Sequence, residues 1–394
     1  MRRARVLLRA PGLVAGGGLL TLALTFTLTL ACAGRAAAPA PVAATSDMRQ
    51  PADGYVYEAR RVAPRVHVLA QPEPFHVQPL GNVTVVEQSR GLVLVDAGGS
   101  RGSGERVVAL VRAISAKPVT AVILTHWHGD HPLGAAAVRR AWPRAEIIAT
   151  ERTRDHLLGR LMRAYPRGAD AVADSAANAA LQAQITGTAA RLRSAAHGPD
   201  LAPAERAGFV QAARELLQYA HDMDGATLVA PTRTFTDRVL LPDREAPVEA
   251  RYFGRANTDG DAVEWLPRQR VLVTGDVVVA PFPFGFGSYP AEWLRVLERL
   301  RGFDFRYLVP GHGAVQTDRT YLDRMTALIT AARAQVAAFV AAGAGLDEVR
   351  ARVDLSAWAD GDAWMRRWFA RYWVEPFVER AYREATGAPM TPEE

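Results

Sequence analysis

"THWHGDH", Thr125–His131, places His126, His128, Asp130 and His131 within six consecutive positions, at the end of the apolar run "VTAVILTH", Val119–His126. That run has the length and β-branched content of a buried strand, so the cluster sits where a strand gives way to a loop. Neutral imidazoles and carboxylates hold zinc at roughly 2.0–2.2 Å, and two of them separated by one residue in an extended loop can bind one ion. His126 and His128 have that spacing. Asp130 and His131 follow at once and point to a second ion, roughly 3.5–4 Å from the first in two-metal sites. Histidines acting only as caps or solvated turn residues have no reason to crowd one strand end.

Working outward, "RVHVLA" (Arg65–Ala70), "NVTVVEQ" (Asn82–Gln88) and "GLVLVDAG" (Gly91–Gly98) read as strands separated by turn residues. "GERVVALVRAI" (Gly104–Ile114) and Ala135–Ala141 have helical spacing, and "AEIIAT" (Ala145–Thr150) is a further strand. Residues 151–225 turn to Ala, Arg and Leu at helical spacing and read as a helical insertion. Strands resume with "VEARYFG", "DAVEWL" and "RVLVTGD", followed by the aromatic loop "APFPFGFGSYP" (Ala280–Pro290), a helix over Glu292–Leu300 and the strand "RYLVPGHG". The tail from Asp318 is helical. The expected organisation is a leader and linker over 1–48, a main domain over 49–315 containing the insertion, and a helical extension over 316–394 packed on that domain.

With 394 residues, 49% of them hydrophobic, the chain can bury a large core. Its formal charge is +6, but Arg2, Arg3, Arg5 and Arg9 precede the apolar run "LVAGGGLLTLALTFTLTLA", and removing them leaves about +2. No nucleic-acid partner is expected from that balance. Arginines, an apolar run and then small residues form the layout of an export signal, which predicts a periplasmic or cell-envelope location. Cys32, the only cysteine, lies in "LTLAC", which resembles a bacterial lipoprotein cleavage box. A lipid anchor on Cys32, cleavage without lipid, and retention of the run as a membrane helix stay open, and membrane contact is expected only through this segment. The folded domain has no disulfide and no thiolate to serve as nucleophile or ligand.

In their order along the chain these motifs resemble the metallo-β-lactamase superfamily, whose pattern is His-x-His-x-Asp-His after a strand. The resemblance covers about Val62–Val315. It implies an α/β fold, a four-layer αββα sandwich, here with a helical insertion and a helical C-terminal tail, and a hydrolase using one or two zinc ions. It also implies that Asp96 in "VDAG" supports the metal loop by hydrogen bonds and that Asp276 in "VTGD" bridges two metals. His312 in "VPGHG" would complete the second site with Asp130 and His131, Asp130 also orienting the attacking water. One position departs from the pattern: in "GRANTDGD" (Gly254–Asp261) the family's third site-one histidine is replaced by Asn257. A neutral amide oxygen is a ligand that zinc uses rarely. Asn257 as a weak ligand and Asn257 as a structural turn residue both stay open. No other histidine is an obvious substitute, since His67 reads as a strand residue and His156, His197 and His221 fall in the insertion.

The loop carrying His76 borders the active-site mouth in the family, which implies a substrate contact there. Phe284 and Tyr289, in a loop that also holds Phe282 and Phe286, suit a small, partly apolar ester, lactone, thioester or lactam; alternatively these aromatics pin the insertion or tail onto the sandwich. Fold alone does not select the reaction. Nuclease and phosphodiesterase relatives would show a basic groove or an added domain, which the charge does not support. Diiron relatives carry glutamate at the position of His128, and persulfide-oxidising relatives use the histidine that Asn257 replaces. A non-catalytic or weakly active metal-binding envelope protein is the alternative that Asn257 raises.

Overall fold

The computed structural model describes residues 56–72, 75–165 and 175–392. The expected export signal and Cys32 lie outside the described residues. One sheet runs in sequence order through β1 (Glu58–Ala63), β2 (Val66–Ala70), β3 (Val83–Glu87), β4 (Leu92–Val95), β5 (Val119–Ile123), β6 (Glu146–Thr150) and β7 (Arg233–Phe235). It is antiparallel as far as β4 and parallel beyond it. The second sheet has the order β12 (Tyr307–Val309), β11 (Val271–Val273), β10 (Ala262–Leu266), β9 (Val248–Tyr252), β8 (Arg238–Leu241), with only β11 and β12 parallel. The sequence reading has no counterpart for β1, β7 and β8. All three are edge strands interrupted by arginine, and pairing with a formed neighbour, not apolar periodicity, makes them strands.

Period-two alternation distributes each strand between two cores. Val93 and Val95 of β4 point between the sheets with Ile123 and Ile148, against Val248, Ala250, Ala262 and Val271 of the second sheet. Leu92 and Leu94 point the other way, under the helices. Each such fully buried aliphatic contributes about 1.5–3 kcal/mol relative to exposure. This two-faced burial is why the parallel strands read as unbroken apolar runs.

The outer face of the first sheet is covered by α1 (Arg101–Ile114), α2 (Ala135–Ala141) and α3 (Glu151–Leu157), joined by α4 (Ser175–Ala195) and α5 (Pro203–Asp222) between β6 and β7. Helix α1 starts at a capping box: the Ser100 hydroxyl accepts the Ser103 N–H at 3.0 Å, and Ser103 Oγ accepts the Ser100 N–H at 2.8 Å. The second sheet's outer face packs under α6 (Pro290–Arg301), α7 (Thr320–Ala341), α8 (Leu346–Arg352), α9 (Ala363–Phe369) and α10 (Glu375–Thr386). The result is the four-layer αββα sandwich. Among the described residues no helix is long and apolar enough to cross a membrane.

One residue breaks the alternation. Glu264 lies on the face of β10 that also carries Ala262 and Leu266, fully buried, and neither carboxyl oxygen has a hydrogen-bond partner. Burial, helped by the nearby charge of Asp96, raises its pKa well above the ordinary 4.5. The folded protein therefore holds the neutral acid while the unfolded chain ionises above 4.5, so this residue's contribution is fully present below that pH and is lost as pH rises. Glu264→Met should raise stability by about 1–3 kcal/mol at pH 4 by removing the unsatisfied neutral acid, and by more at pH 8, where the unfolded wild-type chain also gains from ionising. Urea unfolding of both proteins at the two pH values checks this; equal gains at both would refute it.

Candidate metal centre

The chemistry gathers at the carboxyl ends of parallel strands. β4 delivers Asp96, β5 delivers Thr125 and the histidine cluster, β11 delivers Asp276 and β12 delivers His312. Because β5 ends in one sheet and β12 in the other, the loops converge over one edge of the sandwich. The Ala262 N–H donating to Thr125 O at 2.7 Å ties the sheets there.

Asp96 organises the first loop. It adopts a positive φ of 62°, Oδ1 accepts the Thr125 N–H at 2.8 Å, and Oδ2 accepts the Thr125 hydroxyl at 2.8 Å and His131 Nδ1–H at 2.8 Å. A carboxylate only accepts, so the Thr125 proton goes to Asp96 and Thr125 Oγ1 accepts from His126 Nδ1 at 3.0 Å. Both imidazoles thus carry a proton on Nδ1 and turn Nε2 inward.

Four inward atoms form one set. His312 Nε2 lies 3.0 Å from Asp130 Oδ2, 3.2 Å from His131 Nε2 and 3.4 Å from Asp276 Oδ1; His131 Nε2 lies 3.3 Å from Asp276 Oδ1 and 3.6 Å from Asp130 Oδ2. Tetrahedral ligands at about 2.0–2.1 Å from an ion stand about 3.3–3.4 Å apart, so these separations fit zinc. The second set is His126 Nε2, 3.1 Å from His128 Nδ1 and 3.7 Å from Asp276 Oδ2. Asp276 offers one oxygen to each set, the geometry of a bridging carboxylate. Gly311 allows it: a Cβ there would sit 2.0 Å from Asp276 Oδ1.

Electrostatics separates the two sets. Burial, reinforced by His131, holds His126 well below the ordinary imidazole pKa, and burial lowers His128 too, so both are neutral donors. Burial opposes charge on His131 and His312 as well, but Asp130, Asp96 and Asp276 lift His131 well above its usual value, and Asp276 and Asp130 lift His312 to about 9. Conversely, burial would raise Asp130 and Asp276, yet the facing histidines hold both below the usual carboxylate range. Two carboxylates facing two imidazoles balance two positive charges, carried by ring protons or, in exchange, by one divalent ion.

Asn257 is fully buried at the entrance to β10. Its Nδ2 donates to Phe284 O at 2.9 Å, which leaves Oδ1 buried without a hydrogen-bond partner. His76 lines a cavity with Phe75, Leu80, Pro281, Phe284 and His312, but its Nδ1 is 2.7 Å from Glu215 of α5 and its Nε2 2.8 Å from Pro72 O, so its polar atoms are already engaged. Phe284 reaches the site, its ring centroid 5.2 Å from that of His312. Tyr289 does not line this cavity. It is packed between the guanidinium groups of Arg255 and Arg380, at 4.3 and 5.2 Å, where it pins the start of α6. The remaining histidines stay away: His67 pairs with Glu87, His156 with Asp259, and His221 lines a surface groove between α1 and α5. Sequence reading missed Asn82, whose Nδ2 donates to Pro310 O and Gly313 O, both at 2.9 Å, and so holds the loop of His312.

Two measurements test the centre. Zinc uptake near pH 7 should release roughly two protons per ion at the set containing His131 and His312, and affinity should rise with pH up to about 9; calorimetry in buffers of different ionisation enthalpy reads the number, and no release would sink the assignment. Asp96→Asn sets an amide donor against His131 Nδ1–H and should weaken zinc binding about 10–100-fold with the fold intact, read by competition with a chromogenic chelator.

A curated relative, the linear primary-alkylsulfatase of Pseudomonas sp. (strain ATCC 19151), is 25% identical over 249 residues, which are 61% of this chain and 43% of that protein. The chain therefore spans less than half of that relative. Among solved structures, the stereoselective inverting sec-alkylsulfatase Pisa1 from Pseudomonas sp. superposes with a TM-score of 0.56 at 18% identity, covering 85% of this chain and 51% of that one. A metallo-beta-lactamase from Pontibacter korlensis gives 0.46 at 18% identity, covering 70% of this chain and 99% of its own. The match to the family's sequence model runs from residue 78 to residue 312, takes in every candidate ligand from His126 to His312, and makes this chain a member of the metallo-beta-lactamase superfamily.

Proposed function

We propose that this hydrolase is a zinc enzyme that cleaves a small ester whose organic group is apolar, with lactone, thioester and lactam as further members of the same electrophile class. The observation that carries the reading is the convergence of two donor sets on a shared Asp276, beside a cavity walled by Phe75, Leu80, Pro281 and Phe284. The two alkylsulfatases add sulfate esters of apolar alcohols to the candidates. His126, His128 and Asp276 would hold one ion, and Asp130, His131, His312 and Asp276 the other. Such ions supply Lewis acidity and acidify water toward neutral pH. Asp130, whose side chain is more exposed than that of His131 or Asp276, would orient the water while helping to hold the second ion. Phe284 and Leu80 exclude bulk water and receive the organic group. The substrate is a small molecule with no nucleic-acid role. The N-terminal pattern supports export to the envelope, with a lipid at Cys32 as one mode of attachment.

A second reading, a metal-binding envelope protein with little turnover, draws on Asn257, whose amide is committed to Phe284 O. Metal content per chain before and after mild chelation, with hydrolysis of p-nitrophenyl butyrate, p-nitrophenyl sulfate and a chromogenic lactam, separates the two. One or two tightly held zinc ions and turnover that chelation abolishes are expected; retained zinc without turnover supports the second reading. Asn257→His should raise zinc retention at the set of His126 and His128, and an unchanged zinc content would show that another donor completes it.

A further inference from the structure

The cavity beside His312 has walls from two distant segments, Phe75, Pro79 and Leu80 on one side and Pro281 and Phe284 on the other. One residue of the C-terminal helices holds both. The Tyr372 hydroxyl donates to Val77 O, and the Tyr372 carbonyl accepts the Gly285 N–H at 2.7 Å. Its ring lies 6.0 Å from Phe75 and 5.2 Å from Phe284, centroid to centroid.

Local sequence explains why that carbonyl is free. In an α-helix it would accept the N–H of residue 376, but residue 376 is proline and has none. The chain widens here into a single π turn, Ala370–Val374, between α9 and α10. Such turns are rare and recur at functional sites. Gly285 is the matching requirement on the other side, since a Cβ there would lie 2.8 Å from both Trp373 O and Phe377 N. Trp373 and Phe377 stack beneath at 4.0 Å, fully buried, so the turn is a fixed platform.

We propose that Tyr372 is a positioning residue that sets the width and depth of an apolar subsite beside His312, so that the C-terminal helices determine which organic group the site accepts. This rests on the reading of the site as a hydrolase of esters with an apolar group. Tyr372 does not touch the reacting atoms. It acts through Phe75, Val77 and Phe284, by fixing the separation of two segments that otherwise meet through the Phe75–Phe282 ring contact at 5.1 Å.

The test is calorimetric binding of butanol, hexanol and octanol to the zinc-loaded full chain, comparing wild type with Tyr372→Phe and Pro376→Ala. The first variant keeps the ring and removes the donor to Val77 O. The second restores an N–H that competes for the Tyr372 carbonyl. Wild-type affinity should climb about fourfold per added methylene until the subsite is filled. Both variants should weaken octanol binding roughly fivefold, the loss of one net hydrogen bond, and should raise KM for the matching alkyl esters with kcat and zinc content unchanged. A variant that melts at lower temperature yet keeps the wild-type dependence on chain length would show a purely structural role and overturn the proposal. Absence of alcohol binding to wild type would overturn it too. Length-dependent alcohol binding without turnover of any ester or sulfate would support the positioning role and defeat the hydrolytic reading instead.

Discussion

The centre depends on the carboxylate of Asp96. Its three short hydrogen bonds, to the backbone and hydroxyl of Thr125 and to His131, settle the proton positions of His126 and His131 in one step. Remove that acceptor and the hydroxyl of Thr125 has no preferred direction, His126 loses its tautomer, and His131 is free to turn. The left-handed backbone at Asp96 is the strained means by which a strand end presents both carboxyl oxygens to a loop 29 residues away.

That constraint also explains the division of labour between the sheets. The first supplies a rigid, preprotonated pair of histidines; the second supplies Asp276 and His312, whose loop is held by Asn82 reaching back from β3. Two like-charged carboxylates so close together would repel if the facing imidazoles did not offset them. The depressed pKa of each acid and the raised pKa of His131 and His312 are two views of the same balance.

Much of this was legible in the chain. The cluster at Thr125–His131 is local, and the apolar runs before Asp96, Asp276 and His312 announce strand ends, while the αββα layers and the roles of those three residues were implied by the family resemblance. What was not legible is what arises from pairing at a distance. Asn82 meets Pro310 across 228 positions, and Gly285 meets Tyr372 through a carbonyl freed by Pro376. Edge strands β1, β7 and β8 owe their form to neighbours, not to their own pattern. The aromatic loop shows the same limit at the level of one residue: Phe284 and Tyr289 look alike in sequence, but one faces His312 and the other is held between two arginines. Glu264 lies on the buried face of its strand, a position that nothing in "DAVEWL" marks.

The placement of His131 and His312 on different sheets has a mechanical meaning as well. A chain with a single cysteine cannot close a disulfide within itself. Coordination of one ion by these two histidines, 181 positions apart, would tie the open edge of the sandwich as a cross-link does. In the chain-entropy picture a loop of that length, once closed, removes about 5 kcal/mol of freedom from the unfolded ensemble. A metal held there would make the centre a clasp as well: the loops that meet there would owe part of their order to the ion, and removing it would loosen the two halves together.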